Sequence, residues 1–289
     1  MDDVGAYNVC IESRCAALVV DFDVQVEDRA EKKTSKALSM TETTQSDIVT
    51  AALLVIGDEI LSGRTKDKNI GYVAEHCTRI GIQLKEVRVV ADEEPEVVLA
   101  VNQLRARYTY VFTTGGIGPT HDDITADCMA KAFGVGIDVD PRALALLMPY
   151  YEKRGLELTP GRLRMARIPE GADLIENSIS IAPGFMIGNV ITMAGVPNIM
   201  QVMLDAVTTR LKTGKKMLTA AIDLGFPEGA IAEMFGAHQK DFPDVPMGSY
   251  PTLRDNKPCT QLVLRSTDAE QLMAAEASLR QKLAAMRLL

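Results

Sequence analysis

The residue types best suited to chemistry lie in one stretch, residues 113–123, which reads TTGGIGPTHDD. Its candidate binding residues are three glycines, one of its threonines and two adjacent carboxylates: Gly115, Gly116, Gly118, Thr120, Asp122 and Asp123. Glycines let backbone N–H groups approach an anion, and a following helix adds its positive end. Two carboxylates would repel a bare phosphate. Their presence favours a divalent cation such as Mg²⁺ or Co²⁺, or a role on a hydroxyl or water.

A second acidic group, Gly57, Asp58 and Glu59, comes directly after the apolar run at residues 51–56. The carboxyl ends of parallel strands meet at one edge of a sheet, where ligands bind. If the strands before both acidic groups run parallel, Asp58 and Glu59 can converge with the carboxylates of residues 122 and 123 on a shared metal. The alternative is a solvated loop with two surface acids.

Weaker signals lie further along the chain. Two glycine–proline pairs flank short apolar runs: Pro183 with Gly184, and Gly195 with Pro197. They could form a pocket wall, although each pair is also consistent with a simple turn. Three arginines, Arg162, Arg164 and Arg167, could contact phosphate, but a solvated surface is the favoured interpretation for them.

The elements that must position these residues alternate between strand and helix. Apolar runs predict strands at residues 51–56, 82–90 and 108–112, and helical spacing predicts helices at residues 69–80, 93–107, 124–133 and 141–154. A hairpin at residues 185–193 and a helix from residue 195 to about 212 follow. This alternation predicts an α/β domain with a mostly parallel sheet and helices on both faces.

Three segments are predicted. Residues 1–47 are expected to be a disordered or mis-annotated extension, with Met40 as the expected start of translation. Residues 48–212 form the α/β domain. Residues 213–289 are predicted to form a small α+β domain of the βαββα type, with strands at 218–223, 245–250 and 259–266 and helices at 228–242 and 268–286.

Composition excludes several classes of protein. The formal net charge is −8, which argues against nonspecific binding to nucleic acid or to anionic membranes. The sequence contains no apolar run of the roughly 20 residues that a membrane helix needs. There are 5 cysteines, without CxxC spacing, and Cys77 and Cys128 occupy apolar positions of predicted helices. We therefore expect core thiols in a cytoplasmic protein.

The blocks GDEILSG, DKN, TTGGIGPTHDDIT, APGF and GVP, in this order, resemble the MoaB/Mog-like molybdopterin-binding domain family. The nearest likeness is to its CinA N-terminal branch, which is also related to part of eukaryotic FAD synthase. It covers about residues 50–212. The later segment resembles the small KH-type domain of CinA proteins but lacks a GxxG clamp, so RNA binding is not inferred. We expect the C-terminal amidohydrolase domain of full-length CinA to be lacking.

The resemblance implies a three-layer α/β/α fold and a pocket for a pterin or a dinucleotide phosphate. In this sequence the pocket would involve Asp58, Asp122, Asp123 and the glycines of the 113–123 stretch. CinA-type domains are associated with metal-dependent hydrolysis of ADP-ribose, FAD synthase relatives with FAD hydrolysis, and Mog relatives with adenylylation of molybdopterin. Relatives also form dimers or trimers, so a homo-oligomer is expected.

Three hypotheses follow. The first is a metal-dependent nucleotide pyrophosphatase acting on ADP-ribose, FAD or a similar dinucleotide, in which Asp58, Asp122 and Asp123 hold the metal or orient water. The second is a non-catalytic molybdopterin- or nucleotide-binding protein, and the third is an assembly surface. The family's DTN block reads Asp67-Lys68-Asn69 here, and Ile199 stands where an acid is usual. These departures leave the substrate open.

Overall fold

The structure is a computed structural model that describes residues 48–254 and 256–289. The predicted extension at residues 1–47, with its proposed start at Met40, lies outside the described residues. The part of the chain that is described belongs to one compact unit. It contains no helix that is both long enough and apolar enough to cross a membrane.

The larger part of this unit alternates strands and helices, as the sequence predicts. Its strands are β1 (Val49–Ile56), β2 (Ile82–Val90), β3 (Tyr110–Thr114), β4 (Ile137–Val139), β5 (Arg167–Pro169), β6 (Asp173–Ile175), β7 (Gly184–Ile187) and β8 (Val190–Met193). Its helices are α1 (Asp58–Leu61), α2 (Asn69–Ile80), α3 (Glu94–Arg107), α4 (Thr125–Phe133), α5 (Pro141–Glu152), α6 (Pro160–Arg164) and α7 (Pro197–Thr208). Helix α7 ends four residues before the predicted position near residue 212.

The main sheet has six strands in the order β2-β1-β3-β8-β7-β6. Strand β1 pairs in parallel with β2 and β3, and β3 pairs in parallel with β8. The β7–β8 hairpin and β6 add antiparallel pairs at one side. The prediction of a mostly parallel sheet is therefore confirmed. Strands β4 and β5 form a separate antiparallel pair.

Both faces of the main sheet are covered, which gives three layers. Side chains alternate along β1, so Leu54 packs with α3, α4 and α5 on one face, and Leu53 packs with α2 and α7 on the other. Parallel strands buried on both faces need such near-continuous apolar runs. Cys77 of α2 and Cys128 of α4 are fully buried in these cores, as expected.

Residues 218–285 build a small sheet with two helices on one face. Its elements are β9 (Leu218–Leu224), α8 (Ala232–Asp241), β10 (Met247–Arg254), β11 (Lys257–Ser266) and α9 (Ala269–Ala285). The strands are antiparallel in the order β10-β11-β9, so the predicted βαββα layer is confirmed. The predicted helix over 228–242 is interrupted at Ile231, which is buried in a core separate from that of the larger sheet.

Candidate functional site

Four loops meet at the carboxyl edge of the main sheet. Strands β1, β2, β3 and β8 run parallel, and their chains leave the sheet after Ile56, Val90, Thr114 and Met193. The chain goes from β1 to β2 on one side and later places β3 on the other side of β1. Such a change of direction opens a crevice at the carboxyl ends of the strands, which is where α/β sheets bind ligands.

The backbone of the glycine loop, residues 115–118, packs directly on its neighbours. Gly115 has φ +107°, and a Cβ there would lie 2.1 Å from the carbonyl oxygen of Ile56. Its N–H donates to the carbonyl of Met193 at 3.2 Å. A Cβ on Gly195 would lie 3.3 Å from the Cα of Gly115. Glycine is therefore required at position 115, where the loops after β1, β3 and β8 touch.

Thr125, the first residue of α4, anchors this loop from below. Its hydroxyl donates to the Gly115 carbonyl at 2.9 Å, and its N–H donates to the Gly116 carbonyl at 3.0 Å. A Cβ on Gly116 would lie 2.2 Å from the Thr125 hydroxyl oxygen, so the pair leaves no room for a side chain. Sequence reasoning did not single out Thr125, although it closes the same DDIT block.

The glycine loop also offers backbone donors. Among the described residues, the N–H groups of Gly116, Ile117 and Gly118 have no protein acceptor. All three residues line a cavity of about 490 Å³. Free N–H groups at a glycine turn that leads into a helix are suited to an anion such as phosphate.

Asp123 closes a tight turn within the loop. Its Oδ2 accepts hydrogen bonds from the N–H and the hydroxyl of Thr120, at 2.7 and 2.5 Å. Helix α4 has no side-chain cap at Ile124, so neither acid of the pair caps this helix. Asp123 lines the cavity, whereas the Asp122 side chain is mostly exposed beside a fully exposed His121. The Thr120 hydroxyl is thus occupied by Asp123.

Asp58 and Glu59 lie in the single turn of α1 and not in a loop. The N–H of Asp58 donates to Oδ2 of Asp92 at 2.9 Å. Burial raises the pKa of the Asp92 carboxyl, and the negative charges of Asp58, Glu59 and Asp122 raise it further. The hydrogen bond from the Asp58 N–H lowers the same pKa. Sequence reasoning missed Asp92, although it follows β2 at the same sheet edge.

The four predicted metal-binding carboxylates do not form a metal centre. In residues 48–254 and 256–289, no group of three or more His, Cys, Asp or Glu side chains could hold a metal ion. Asp123 turns back to Thr120, while Glu59 lies against Gly57, where a Cβ would be 2.5 Å from its carboxylate. The predicted set Asp58, Glu59, Asp122 and Asp123 therefore lacks the geometry of a shared metal site.

The cavity beside the glycine loop is walled mainly by apolar groups. These include Ile117, Met165, Ala194, Val196, Ile199 and Met203. Its far wall is shaped by Asn177, whose Nδ2 donates to the Ser180 hydroxyl and to the Ala182 carbonyl at 2.6 and 2.9 Å. Sequence reasoning did not identify Asn177. An apolar cavity with a few fixed polar groups suits a flat ring system.

The residues predicted to form a pocket wall, Pro183, Gly184 and Gly195, do not all line the cavity. Gly195 lines the cavity, but Gly184 is buried in β7, where a Cβ would lie 2.5 Å from the Thr192 carbonyl oxygen. Pro183 lies on a small recess beside Arg164. Gly184 is therefore a packing residue and gives no surface to a ligand.

The arginines of α6 and β5 are half-buried supports, so their interpretation as a solvated surface is wrong. Arg164 donates to the Asp123 carbonyl at 3.0 Å, and its buried Nε has no partner among the described residues. Arg167 forms two hydrogen bonds with the Asp127 carboxylate, at 2.7 and 2.8 Å. Both tie the segment after α5 to the glycine loop and α4.

The first turn of α2 joins the site through Asn69. Asp67 caps this helix by accepting from the N–H groups of Asn69 and Ile70, at 3.0 and 2.7 Å. The Asn69 side chain is buried, and its Nδ2 donates to the Gly195 carbonyl at 2.8 Å. Asn69 therefore links the α2 terminus to the loop after β8.

Comparison with protein families gives two adjacent matches. Residues 52–213 match a family described as a probable molybdopterin binding domain. Residues 216–288 match a family described as the middle domain of FAD synthase. The second match covers the segment for which the sequence predicts a KH-type domain.

Known relatives cover most of the described chain. A protein of Aeropyrum pernix is 32% identical over 210 residues, which are 70% of this chain and 78% of the relative. A CinA-like protein of Citrifermentans bemidjiense is 35% identical over 248 residues, 81% of this chain but 58% of the relative. The chain therefore matches little more than half of that CinA-like protein.

A solved structure shares the architecture of the larger part. The protein CinA from Thermoplasma acidophilum, whose function is described as unknown, is 35% identical, with a TM-score of 0.52. The match covers 57% of this chain and 98% of the solved chain.

Proposed function

This chain belongs to the family of probable molybdopterin binding domains, and on that premise we propose that it binds a small nucleotide or pterin phosphate at the carboxyl edge of its sheet. The phosphate lies at the glycine loop, and the ring system lies in the adjoining cavity. Molybdopterin and a dinucleotide such as ADP-ribose or FAD share this combination of a phosphate and a flat ring.

One observation carries the proposal. The unpaired N–H groups of Gly116, Ile117 and Gly118 line the same cavity as the apolar side chains of Ile117, Val196 and Met203. The loop is suited to an anion and the wall to a ring. The cavity volume of about 490 Å³ lies within the range of about 300–1,000 Å³ that small-molecule sites occupy.

A second candidate is hydrolysis of the phosphoanhydride of ADP-ribose or FAD, and the acidic group around Asp92 favours it. Asp92 lies among Asp58, Glu59 and Asp122, and its raised pKa brings the carboxyl closer to the range in which a group exchanges protons near neutral pH. The described carboxylates do not fit a complete metal site. Mg²⁺ is often held by one or two carboxylates together with substrate phosphates, so added metal belongs in the test.

Calorimetric titration with ADP-ribose, FAD, AMP and molybdopterin tests the binding proposal. We expect at least one of them to bind, inorganic pyrophosphate to compete, and Gly118→Ala to weaken binding. A Cβ at Gly118 would lie 2.7 Å from the Asp123 carboxylate, whereas one at Gly134, the control site, meets nothing within 4 Å. Absence of binding for every ligand, or no competition by pyrophosphate, would overturn the proposal.

Release of AMP from ADP-ribose and FAD, with and without Mg²⁺ or Co²⁺, tests hydrolysis. Metal-dependent release that is lost in Asp123→Ala and reduced in Asp92→Asn supports the enzyme. If a ligand binds but no AMP is released with either metal, hydrolysis is rejected and the binding proposal stands. Two expectations stay predictions: that the chain forms a homo-oligomer, a dimer or trimer, and that it is cytoplasmic. Light scattering of the purified chain measures the oligomeric state.

A further inference from the structure

A second cavity, here called the cleft, lies at the end of the main sheet opposite to the glycine loop. It is lined by residues from the range 74–85, which covers the end of α2 and the start of β2, by residues from the range 215–219, and by Arg265 of β11. Its volume is about 400 Å³, within the range of about 300–1,000 Å³ that small-molecule sites occupy. Strand β2 begins at the cleft and ends at the carboxyl edge, so the cleft is separate from the candidate site.

The cleft carries three cationic side chains, and no carboxylate of the described residues lines it. The cations are Lys85, Lys215 and Arg265, which come from three separate segments of the chain. All three side chains are exposed, so their charges are accessible to a ligand. The chain as a whole has a formal net charge of −8, and the cleft has the opposite sign. A cavity lined by one sign of charge raises the local concentration of small ions of the other sign.

The charges of Lys85 and Arg265 are not neutralised within residues 48–254 and 256–289. Arg265 donates a long hydrogen bond of 3.4 Å to the Tyr250 hydroxyl, and neither cation forms an ion pair in this part of the chain. Glu86, which follows Lys85, accepts instead from Arg88 at 2.5 Å. Both cations are therefore available to an anion that enters the cleft.

An irregularity in the pairing of β1 with β2 places Lys85 at the cleft. The residues on either side of it, Leu84 and Glu86, lie opposite consecutive residues of β1, so Lys85 has no partner there. Such a β-bulge re-aims a side chain, and bulges are over-represented next to functional sites. Residues 83, 84 and 85 all line the cleft, although successive residues of a regular strand face opposite sides.

A backbone contact fixes the wall of the cleft that carries Lys215. The N–H of Gly214 donates to the Gly81 carbonyl at 3.1 Å. Gly81 has φ +80°, and a Cβ there would lie 2.3 Å from the Gly214 carbonyl oxygen. The last carbonyls of α2, those of Cys77 and Thr78, accept from backbone N–H groups at the helix end, which reduces their repulsion of an anion. This wall is therefore formed before a ligand arrives.

We infer that the cleft is a second anion site, which takes a small metabolite with two or more negative charges. Lysine and arginine bind both phosphate and carboxylate groups, so either group can supply the charge. The half-buried side chains of Leu84 and Met217 also line the cleft and suit the compact carbon body of such a metabolite. The inference is independent of the proposed function, because no residue of the cleft lines the cavity at the glycine loop.

Lysine footprinting tests the inference at the cleft itself. The full chain is acetylated with and without tripolyphosphate or citrate, and mass spectrometry measures the labelling of each lysine. We expect at least one of these anions to reduce the labelling of Lys85 severalfold and to leave Lys153 unchanged. Lys153 is the control, since it is an exposed lysine at the end of α5 that does not line the cleft. Stronger protection by tripolyphosphate indicates a phosphate-bearing metabolite, and stronger protection by citrate indicates a polycarboxylate.

Titration of this protection measures the affinity of the cleft alone. In Arg265→Gln the anion concentration that gives half-protection of Lys85 should rise by about tenfold, the loss of one charged hydrogen bond. Arg287→Gln is the matched control, because Arg287 is exposed and does not line the cleft. Added NaCl should raise the same concentration, since salt screens exposed charges. Equal half-protection in Arg265→Gln and Arg287→Gln would overturn the inference.

A role in sheet-edge protection would give a different result. Strand β2 is an edge strand of the main sheet, and lysines on edge strands hinder pairing with another chain. If Lys85→Gln promotes association in light scattering while neither anion protects Lys85 in the wild-type chain, the cations protect the edge and the inference is rejected.

The footprint also separates this inference from the proposed function. If a nucleotide or pterin ligand binds and pyrophosphate competes with it, but no anion protects Lys85, the binding proposal stands and the second site is rejected. If an anion protects Lys85 while no such ligand binds, the second site stands and the proposed function fails.

Discussion

The backbone of Gly115 lies against the carbonyl oxygen of Ile56, with room for a hydrogen but not for a carbon: a Cβ would be 2.1 Å away. This contact joins the ends of β1 and β3 at the point where the sheet changes direction. It brings the loop that carries free N–H groups next to the single turn of α1, which carries Asp58 and Glu59. The candidate site depends on this close approach of two backbones.

Replacing Gly115 with alanine should therefore destabilise the protein strongly. The strained φ of +107° costs on the order of 1–3 kcal/mol for a residue with a Cβ, and the overlap with Ile56 adds to it. Gly134→Ala separates the two effects, because Gly134 also has positive φ but no atom within 4 Å of the Cβ position. Urea unfolding should show a clearly larger loss for Gly115→Ala; equal losses would contradict the contact argument.

Arg164→Met should reduce the free energy of ligand binding by more than it reduces the free energy of unfolding. Its guanidinium donates to the Asp123 carbonyl and so holds the turn that borders the cavity. Arg162→Met is the control, because Arg162 packs over Tyr151 at 4.8 Å and donates to the Glu157 carbonyl, away from the cavity. Calorimetry with the tightest ligand of the wild-type chain measures the effect. Equal affinities for the two variants would exclude a supporting role for Arg164.

The stability of the chain should fall on mild acidification because of His238. This side chain is fully buried, its Nε2–H donates to the Ala275 carbonyl at 3.0 Å, and its Nδ1 lies 3.2 Å from the Lys282 ammonium. Burial lowers its pKa, a hydrogen bond to Ala275 opposes this, and the Lys282 charge lowers it further.

The sign follows from proton binding. The folded-state pKa of His238 lies below the unfolded value of about 6.5. As the pH falls through about 6.5, the unfolded chain therefore binds more protons than the folded chain. The free energy of unfolding decreases until the pH passes the folded-state pKa. His76 acts in the same direction, since burial and Arg79 lower its pKa. Urea midpoints at pH 7.5 and 5.5 should differ less in His238→Gln than in the wild-type chain. His121→Gln, at a fully exposed site, should leave the difference unchanged.

Thiol labelling should distinguish core cysteines from accessible ones. Burial raises the pKa of Cys77 and of Cys128 to about 12, whereas Cys259 is only half-buried. The thiolate is the reactive form, so the two core thiols should not react in the folded chain. In a variant with serine at positions 10 and 15, three thiols remain. An aromatic disulfide reagent should label one of them in the folded chain and all three in urea. Native labelling of three thiols would contradict this packing.

Much of the fold could be predicted because its signals are local. Helix α2 and strand β2 have the predicted bounds, Asn69–Ile80 and Ile82–Val90, since apolar spacing and Gly81 define them within the segment itself. The buried character of β1 and β3 predicted a parallel sheet covered on both faces, and the glycine–acid block lies, as predicted, at the carboxyl ends of those strands.

The directions of the side chains at that edge could not be predicted in this way. Asp123 turns to Thr120, and the four carboxylates that the sequence suggested for a metal do not form a metal site. The orientation of Asp123 follows from hydrogen bonds whose geometry depends on the folded backbone, and residue spacing alone does not encode it.

The sequence by itself determined the family, the alternation of strands and helices, and the place of the glycine loop between a buried strand and a helix. Only the tertiary structure decided that Asn69 meets Gly195, 126 positions away. Periodicity and turn chemistry act over a few residues and are visible in the chain. A ligand site is built from contacts between distant segments, and those exist only after the sheet has brought its strand ends together.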